Sequence, residues 1–264
     1  MILKVHNMNL QGAVMGNILD KNLAVLEEIV QSTPHPVSPL ALSERLGIKR
    51  ATCSRILKLL LESGYIIRVS RQAGYMAGPR IVTLNNMAQF QSELLKKAIP
   101  AVDRLAEAVR DSVFISQVYG GLRYVLYHKN CNPEHVIHLN QMAYEDVYAT
   151  ASGVVEMAYV PLKEALKIYD STRWGSNLRP EFRERRMVEA SLAKIRAEGL
   201  YHSISGIQGI FAVPVFANGV YQAALGCSMP VARYTPEHIL EVKGLIQKAA
   251  EELSAALSVI NSIG

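Results

Sequence analysis

Six side chains within one short stretch carry most of the polar chemistry this sequence concentrates anywhere. In LALSERLGIKRATCSRILKLLLESGYI, Leu40 to Ile66, the centre holds Lys49, Arg50, Thr52, Ser54, Arg55 and Lys58. Long cations neutralise phosphates, an arginine fork matches the acceptor pair on a guanine edge, and hydroxyls bond to either. A second constellation, HKNCNPEHVIH, sets His128, Cys131, His135 and His138 within eleven residues. Imidazoles and thiols so close together are zinc-ligand types. They lack a Cys-x-x-Cys pair, however, and the segment reads as strand, turn, strand, with His135 and His138 on opposite faces of the extended chain. No metal and no cofactor is assigned. There is no nucleophile elbow, P-loop or HExxH motif, so the sequence offers no enzyme chemistry.

The elements around the basic centre decide what it can do. NLAVLEEIVQS has apolar residues at Leu23, Leu26, Ile29 and Val30, the stripe of an amphipathic helix. The prolines of TPHPVSP end it. A short helix follows over Pro39 to Leu46, Gly47 closes it, and a third helix runs from about Arg50 to Glu62. On that helix Cys53, Ile56, Leu57 and Leu60 fall at i, i+3, i+4 and i+7, a buried stripe. Cys53 is therefore a small core residue. Ala51, Ser54, Arg55 and Lys58 face the other way, with Thr52 on the flank and Lys49 and Arg50 where the helix begins. Ser63-Gly64 stops the helix, and YIIRVS, RQAG and YMAG read as strand, turn and strand, placing Arg68 and Arg71 on a hairpin. Three helices and a hairpin make a winged helix-turn-helix.

The charge agrees with that plan. Between Asp20 and Arg80 there are nine basic and five acidic residues, so this segment carries +4 of the chain's +5. On charge alone, a solvated basic surface and a nucleic-acid footprint serve equally. Half of the 264 residues are hydrophobic, enough for two domains, and no apolar run is long enough to span a membrane. The three separated cysteines fit reduced thiols in a cytoplasm.

Beyond the hairpin, PRIVTLNNMAQFQSELLKKAI reads as a linker helix and PAVDRLAEAVRDS as an amphipathic one. VFISQVY, LRYVLYH and HVIHLN read as strands, TASGVVEMAYV, LKEALKIY and EFRERRMVEASLAKIRAEG as helices. IFAVPVF and VYQAALGCSM are strands joined by the turn ANG. A long helix closes the chain, with Thr235 as N-cap and Pro236 in first position. This order indicates an α+β sensor domain rather than a doubly wound dinucleotide fold.

At these residues the sequence resembles IclR-family transcriptional regulators. The resemblance rests on Leu46-Gly47, Thr52, Arg55, Leu57, Leu60, Gly64-Tyr65, Tyr75 and Gly78, then on YATASGVVEMAYVP and GIQGIFAVPVFANGVYQAALGCSMP, and covers about Leu23 to Leu257. MILKVHNMNLQGAVMGN, with its scattered polar residues, reads as a flexible arm over 1–17. The resemblance implies a winged helix-turn-helix over 18–79, a linker helix over 80–97 and a GAF-like effector domain over 98–264. It also implies homodimers or dimers of dimers on palindromic double-stranded operators, in the cytoplasm, with a small organic effector. Many such proteins are repressors and some activators; the repressor is the expectation here.

The resemblance places the effector against the start of the helix bearing Thr150, Ala151, Ser152 and Gly153, where free backbone N–H groups favour a carboxylate. It also places pocket positions at Gly209, Gly226 and Ser228. Two glycines there leave room for a larger or less polar ligand, or equally serve strand packing. The two acidic residues usual in the family before Gly206 are absent, and His202 and Ser203 occupy that neighbourhood. Tyr148 stands in place of a histidine, and Ala51 in place of a serine.

Overall fold

The structure is a computed structural model that describes residues 17–70, 72–134, 143–171 and 178–258. The arm expected over 1–17 lies almost wholly outside the described residues, as do Arg71, His135, His138 and the strand expected in HVIHLN. The chain divides into two compact units, Met1–Ala88 and Gln89–Gly264.

The first unit opens with α1, Ile18–Ser32. Asn17 and Asp20 cap it reciprocally: the Asn17 side chain accepts the Asp20 N–H, and Asp20 accepts that of Asn17. In α2, Pro39–Arg45, proline occupies the first turn and Ser38 caps the Ala41 N–H at 3.2 Å. A turn through Gly47, whose φ is +62°, leads into α3, Arg50–Glu62. Cys53, Ile56, Leu57 and Leu60 are the buried residues of α3, and they close on Val25, Ile29, Leu42, Ile48 and Ile66. The helix and its buried side are those expected from periodicity alone. Strands β1, Ile66–Ser70, and β2, Gly74–Ala77, pair antiparallel, with Arg68 opposite Tyr75. Three helices and this hairpin form the winged plan.

The linker expected as one helix over 80–97 is instead two. One is α4, Pro79–Gln91, and the next is α5, Glu93–Val109, capped by the Ser92 hydroxyl on the Leu95 N–H. Helix α5 runs through Pro100 and buries Ala98, Ala101, Val102, Leu105, Ala106 and Val109, so its burial in the second unit begins before that proline.

The second unit is built on a five-stranded antiparallel sheet of order β4-β3-β7-β6-β5. Its strands are β3, Ser112–Tyr119; β4, Leu122–Asn130; β5, Tyr201–Ser205; β6, Gln208–Ala217; and β7, Val220–Pro230. Between β4 and β5 come α6, Ala151–Tyr159, α7, Leu162–Ser171, and α8, Val188–Glu198. The last element is α9, Pro236–Ser258, with the Thr235 hydroxyl on the His238 N–H as expected of its cap. The sheet separates two cores. On one face Val113, Ile115, Phe211, Val213, Leu225, Cys227 and Met229 pack with α5 and α9. On the other, Ile210, Ala212 and Ala224 pack with α6, α7 and α8. No helix of the described residues is long and apolar enough to cross a membrane.

Candidate functional site

Helix α3 presents an exposed cationic face. Arg50, Ala51, Ser54, Arg55 and Lys58 are exposed and Thr52 is half-buried. Lys49 is the N-cap residue and makes no side-chain cap bond. The first N–H groups of α3 and two cations thus meet at one helix end, where an anion is favoured. Lys58 lies 3.8 Å from Glu62 one turn on, which takes part of its charge. Arg55 makes no ion pair among the described residues, so its fork is available. On the wing, Arg68 is exposed and its guanidinium stands 5.9 Å from the centre of the Tyr75 ring.

In the second unit, sheet register decides which of the expected effector residues share a face. Directly opposed residues in an antiparallel pair point the same way. Gly226 opposes Phe114 and Ala212, Ser228 opposes Ser112 and Ile210, and Ser203 opposes Ile210. These therefore face the α6 side, together with His128 opposite Phe114. His202 opposes Phe211 and Gly209 opposes Ile204, on the other face. The His202 Nδ1 lies 2.6 Å from the Tyr234 hydroxyl, within the α5–α9 core, and burial lowers its pKa. His202 and Gly209 are thus separated by the sheet from Ser203, Gly226 and Ser228, and do not belong to the same site.

Of the two readings open for the glycines, ligand room and strand packing, the geometry favours packing. A Cβ on Gly226 would lie 2.5 Å from Cε2 of Phe114, and one on Gly209 would be 2.8 Å from Cγ of Tyr234. Glycine at these positions admits a neighbouring ring and not a ligand substituent. That is the close-approach role of glycine in a strand.

The start of α6 is built as its sequence suggested. Thr150 is the N-cap, and its hydroxyl accepts the Gly153 N–H at 3.3 Å. Gly153 is required because a Cβ there would overlap the Val147 carbonyl. The Ser152 side chain is fully buried and its hydroxyl has no hydrogen-bond partner among the described residues. One turn later Glu156, on the same helix face, accepts from the Ser116 hydroxyl at 3.3 Å and from the Val118 N–H. Helix α6 therefore lies on the sheet face that carries Ser112, Ser116 and Ser228, all buried. Strand periodicity in SVFIS, with Ser, Phe and Ser alternating against Val and Ile, already carried that polar face.

Burial holds the His128 imidazole below its usual pKa, and its Nε2 has no partner among the described residues. Of the four residues weighed as zinc ligands, only His128 and Cys131 lie within the described residues. A residue without any motif also belongs here. Arg179, next to a proline in the segment before α8, is buried against the start of α6 and the end of β5.

Two family matches cover this architecture. Residues 88–255, more than half of the chain, match the family described as bacterial transcriptional regulator IclR, C-terminal. The chain belongs to the IclR family. Residues 19–67 match a winged helix-turn-helix DNA-binding family, so this member carries a DNA-binding domain ahead of its effector domain, and it is a transcriptional regulator and not an enzyme. The HTH-type transcriptional regulator TtgV of Pseudomonas putida is 26% identical over 82% of this chain and 83% of its own. The Escherichia coli regulator KdgR is 22% identical over 82% of this chain and 84% of its own.

Solved IclR-family structures share the fold. An IclR homologue of Microbacterium hydrocarbonoxydans complexed with 4-hydroxybenzoate superposes with a TM-score of 0.73 at 19% identity, covering 91% of this chain and 99% of the other. The IclR transcriptional regulator of Alicyclobacillus acidocaldarius gives 0.78 at 16% identity, covering 91% and 98%.

Proposed function

We propose that this IclR-family member is a cytoplasmic, effector-responsive repressor of a catabolic or metabolic operon. Its homodimer sets two winged domains in successive major grooves of a palindromic operator. A small organic molecule, acidic or aromatic, enters each effector domain at the start of α6 and shifts the balance toward a DNA-incompetent state. The shift equals the ligand's differential affinity for the two states. The observation that carries the effector reading is the fully buried Ser152 hydroxyl, without a partner among the described residues, at a helix N-terminus on a sheet face lined by buried serines. The homologue holding 4-hydroxybenzoate supports it. A dimer accords with the exposed Ile18, Leu19 and Leu23 on α1 and Val82, Leu84 and Met87 on α4.

Within this reading Arg55 reads a base and Lys49, Arg50 and Lys58 hold phosphates, with Thr52 and Ser54 bonding to either. Arg55→Ala is then expected to weaken the specific operator by about 1–3 kcal/mol, and random DNA much less. Lys49→Ala should weaken both alike and lower the salt slope by about 1. Electrophoretic titration on operator and scrambled duplexes, at two salt concentrations, checks both. An equal loss on both duplexes for Arg55→Ala makes it a phosphate contact. Operator release by an organic acid that also raises the melting temperature tests the regulatory reading as a whole.

A further inference from the structure

Arg179 is an unusual cation. Its side chain is 7% exposed, yet no carboxylate pairs with it among the described residues. Two of its nitrogens donate to backbone carbonyls, Nη1 to Ile204 at 3.2 Å and Nη2 to Ala149 at 2.5 Å, and its Nε is buried with no partner among the described residues. The acids nearest in charge are committed elsewhere. Asp146 forms a two-pronged pair with Arg123 at 2.7 and 2.6 Å, and Glu181 accepts from the Tyr201 hydroxyl at 2.6 Å. Burial accordingly draws the Arg179 pKa down, and the nearby carboxylates of Glu181 and Asp146 offset this only in part. A buried guanidinium without a counter-ion is costly and is normally paired.

Its position supplies the missing partner. Ala149, which holds one arm of the fork, immediately precedes the N-cap of α6. The cap satisfies the Gly153 N–H, and Val154 donates to Thr150 O, so the N–H groups of Ala151 and Ser152 precede the first intrahelical bond. A buried cation without a carboxylate partner thus bonds to the residue before the N-cap of α6, the helix whose positive end also carries the buried Ser152 hydroxyl.

The geometry points to Arg179 as the charge-selecting residue of the effector site, pairing through Nε with one oxygen of a ligand carboxylate while the Ser152 hydroxyl and the α6 N–H groups hold the other. This rests on the effector reading given above and narrows it: the effector is an anion, and neutral aromatics are excluded. Arginine suits the role because its guanidinium stays charged when buried and keeps the Nε donor fixed while its two terminal nitrogens bond to carbonyls.

The test uses the full chain in thermal-shift and calorimetric titrations. The probes are acetate, succinate, benzoate and 4-hydroxybenzoate, each beside its amide. At least one acid should raise the melting temperature while its amide does not. Arg179→Gln and Ser152→Ala should each weaken that acid at least tenfold with cooperative melting retained, and Arg179→Lys should restore part of the loss. Should Arg179→Gln fail to fold, Ser152→Ala and the acid–amide comparison decide alone. The proposal is overturned if no acid stabilises the wild-type chain, if an amide binds as well as its acid, or if Arg179→Gln binds the acid unchanged. A neutral compound whose binding is lost in Ser152→Ala would uphold the effector site and remove Arg179 from it. Acid binding that survives both substitutions would remove the site as well.

Discussion

Gly153→Ala is expected to lower the melting temperature of the effector domain by roughly 5–10 °C, the largest effect of any single methyl group in that domain. In most helices this change is favourable, because alanine restricts the unfolded chain and suits the helix by up to about 1 kcal/mol. Here the added Cβ would lie 2.7 Å from both the carbonyl carbon and the Cα of Val147, and nearer still to its oxygen. All three are backbone atoms of a segment whose Val147 and Tyr148 are fully buried. Tyr148 is further tied by its hydroxyl to Ala165 O at 2.8 Å, so the segment cannot retreat. Overpacking of this kind costs about 1–3 kcal/mol beyond the propensity gain. Gly244 in α9 is the control, since a Cβ there meets nothing within 4 Å. Gly244→Ala should therefore raise the melting temperature slightly. Differential scanning calorimetry of both variants decides the matter, and a Gly153→Ala protein as stable as wild type would show that the start of α6 is not packed against Val147.

The same contrast explains what the sequence disclosed and what it hid. Helix α3 was legible to the residue because its apolar period, its following Ser63-Gly64 and its basic face all agree. Local signals sufficed there because the buried side of a helix is fixed by spacing alone. Strand β5 was not foreseen. YHSIS carries no clear alternation, and it forms an edge strand whose pairing with β6 comes from the register of the whole sheet. That register also decided sidedness. His202 and Ser203 are neighbours in sequence, yet a strand sends them to opposite faces of the sheet. For Gly209 and Gly226 the sequence leaves space and strand packing equally open, and only the packing reveals the rings of Tyr234 and Phe114 over them. Arg179 left no trace in the sequence, since a lone arginine before a proline is usually a solvated loop residue. Its significance lies in two carbonyls, Ala149 O just ahead of α6 and Ile204 O of β5, that only the folded chain brings together. The break at Ser92 was legible in retrospect: a serine three residues before Leu95 is a cap, and Pro100 is tolerated two turns into the helix it begins.

Glu156→Gln is expected to change how stability depends on pH more than any other substitution of a titratable group. Glu156 is 2% exposed in the otherwise apolar run ASGVVEMAYV. Burial pushes its carboxyl from 4.5 up to about 8, while the Val118 amide, the Ser116 hydroxyl, the Arg123 charge and the Tyr221 hydroxyl pull the other way. Below pH 4.5 folded and unfolded chains both carry the neutral acid, and its stabilising contribution is fully present. Between 4.5 and about 8 only the unfolded chain is ionised, so stability falls as pH rises, by up to about 1.4 kcal/mol per pH unit. Above about 8 the folded carboxyl ionises as well and the slope from this group ends. Glutamine keeps the shape and a donor like that of the neutral acid, and it does not titrate. The variant should therefore match wild type near pH 4.5 and exceed it by a few kcal/mol near pH 8. Urea unfolding of the effector-domain transition at pH 5, 6.5 and 8 measures the difference. Parallel profiles for the two proteins would mean that Glu156 is ionised in the folded state, with Arg123 reaching it in place of Asp146. Because Glu156 and Ser152 share one face of α6, a carboxyl that stays neutral also leaves the positive end of that helix free of competing charge, which is the condition an anionic effector requires.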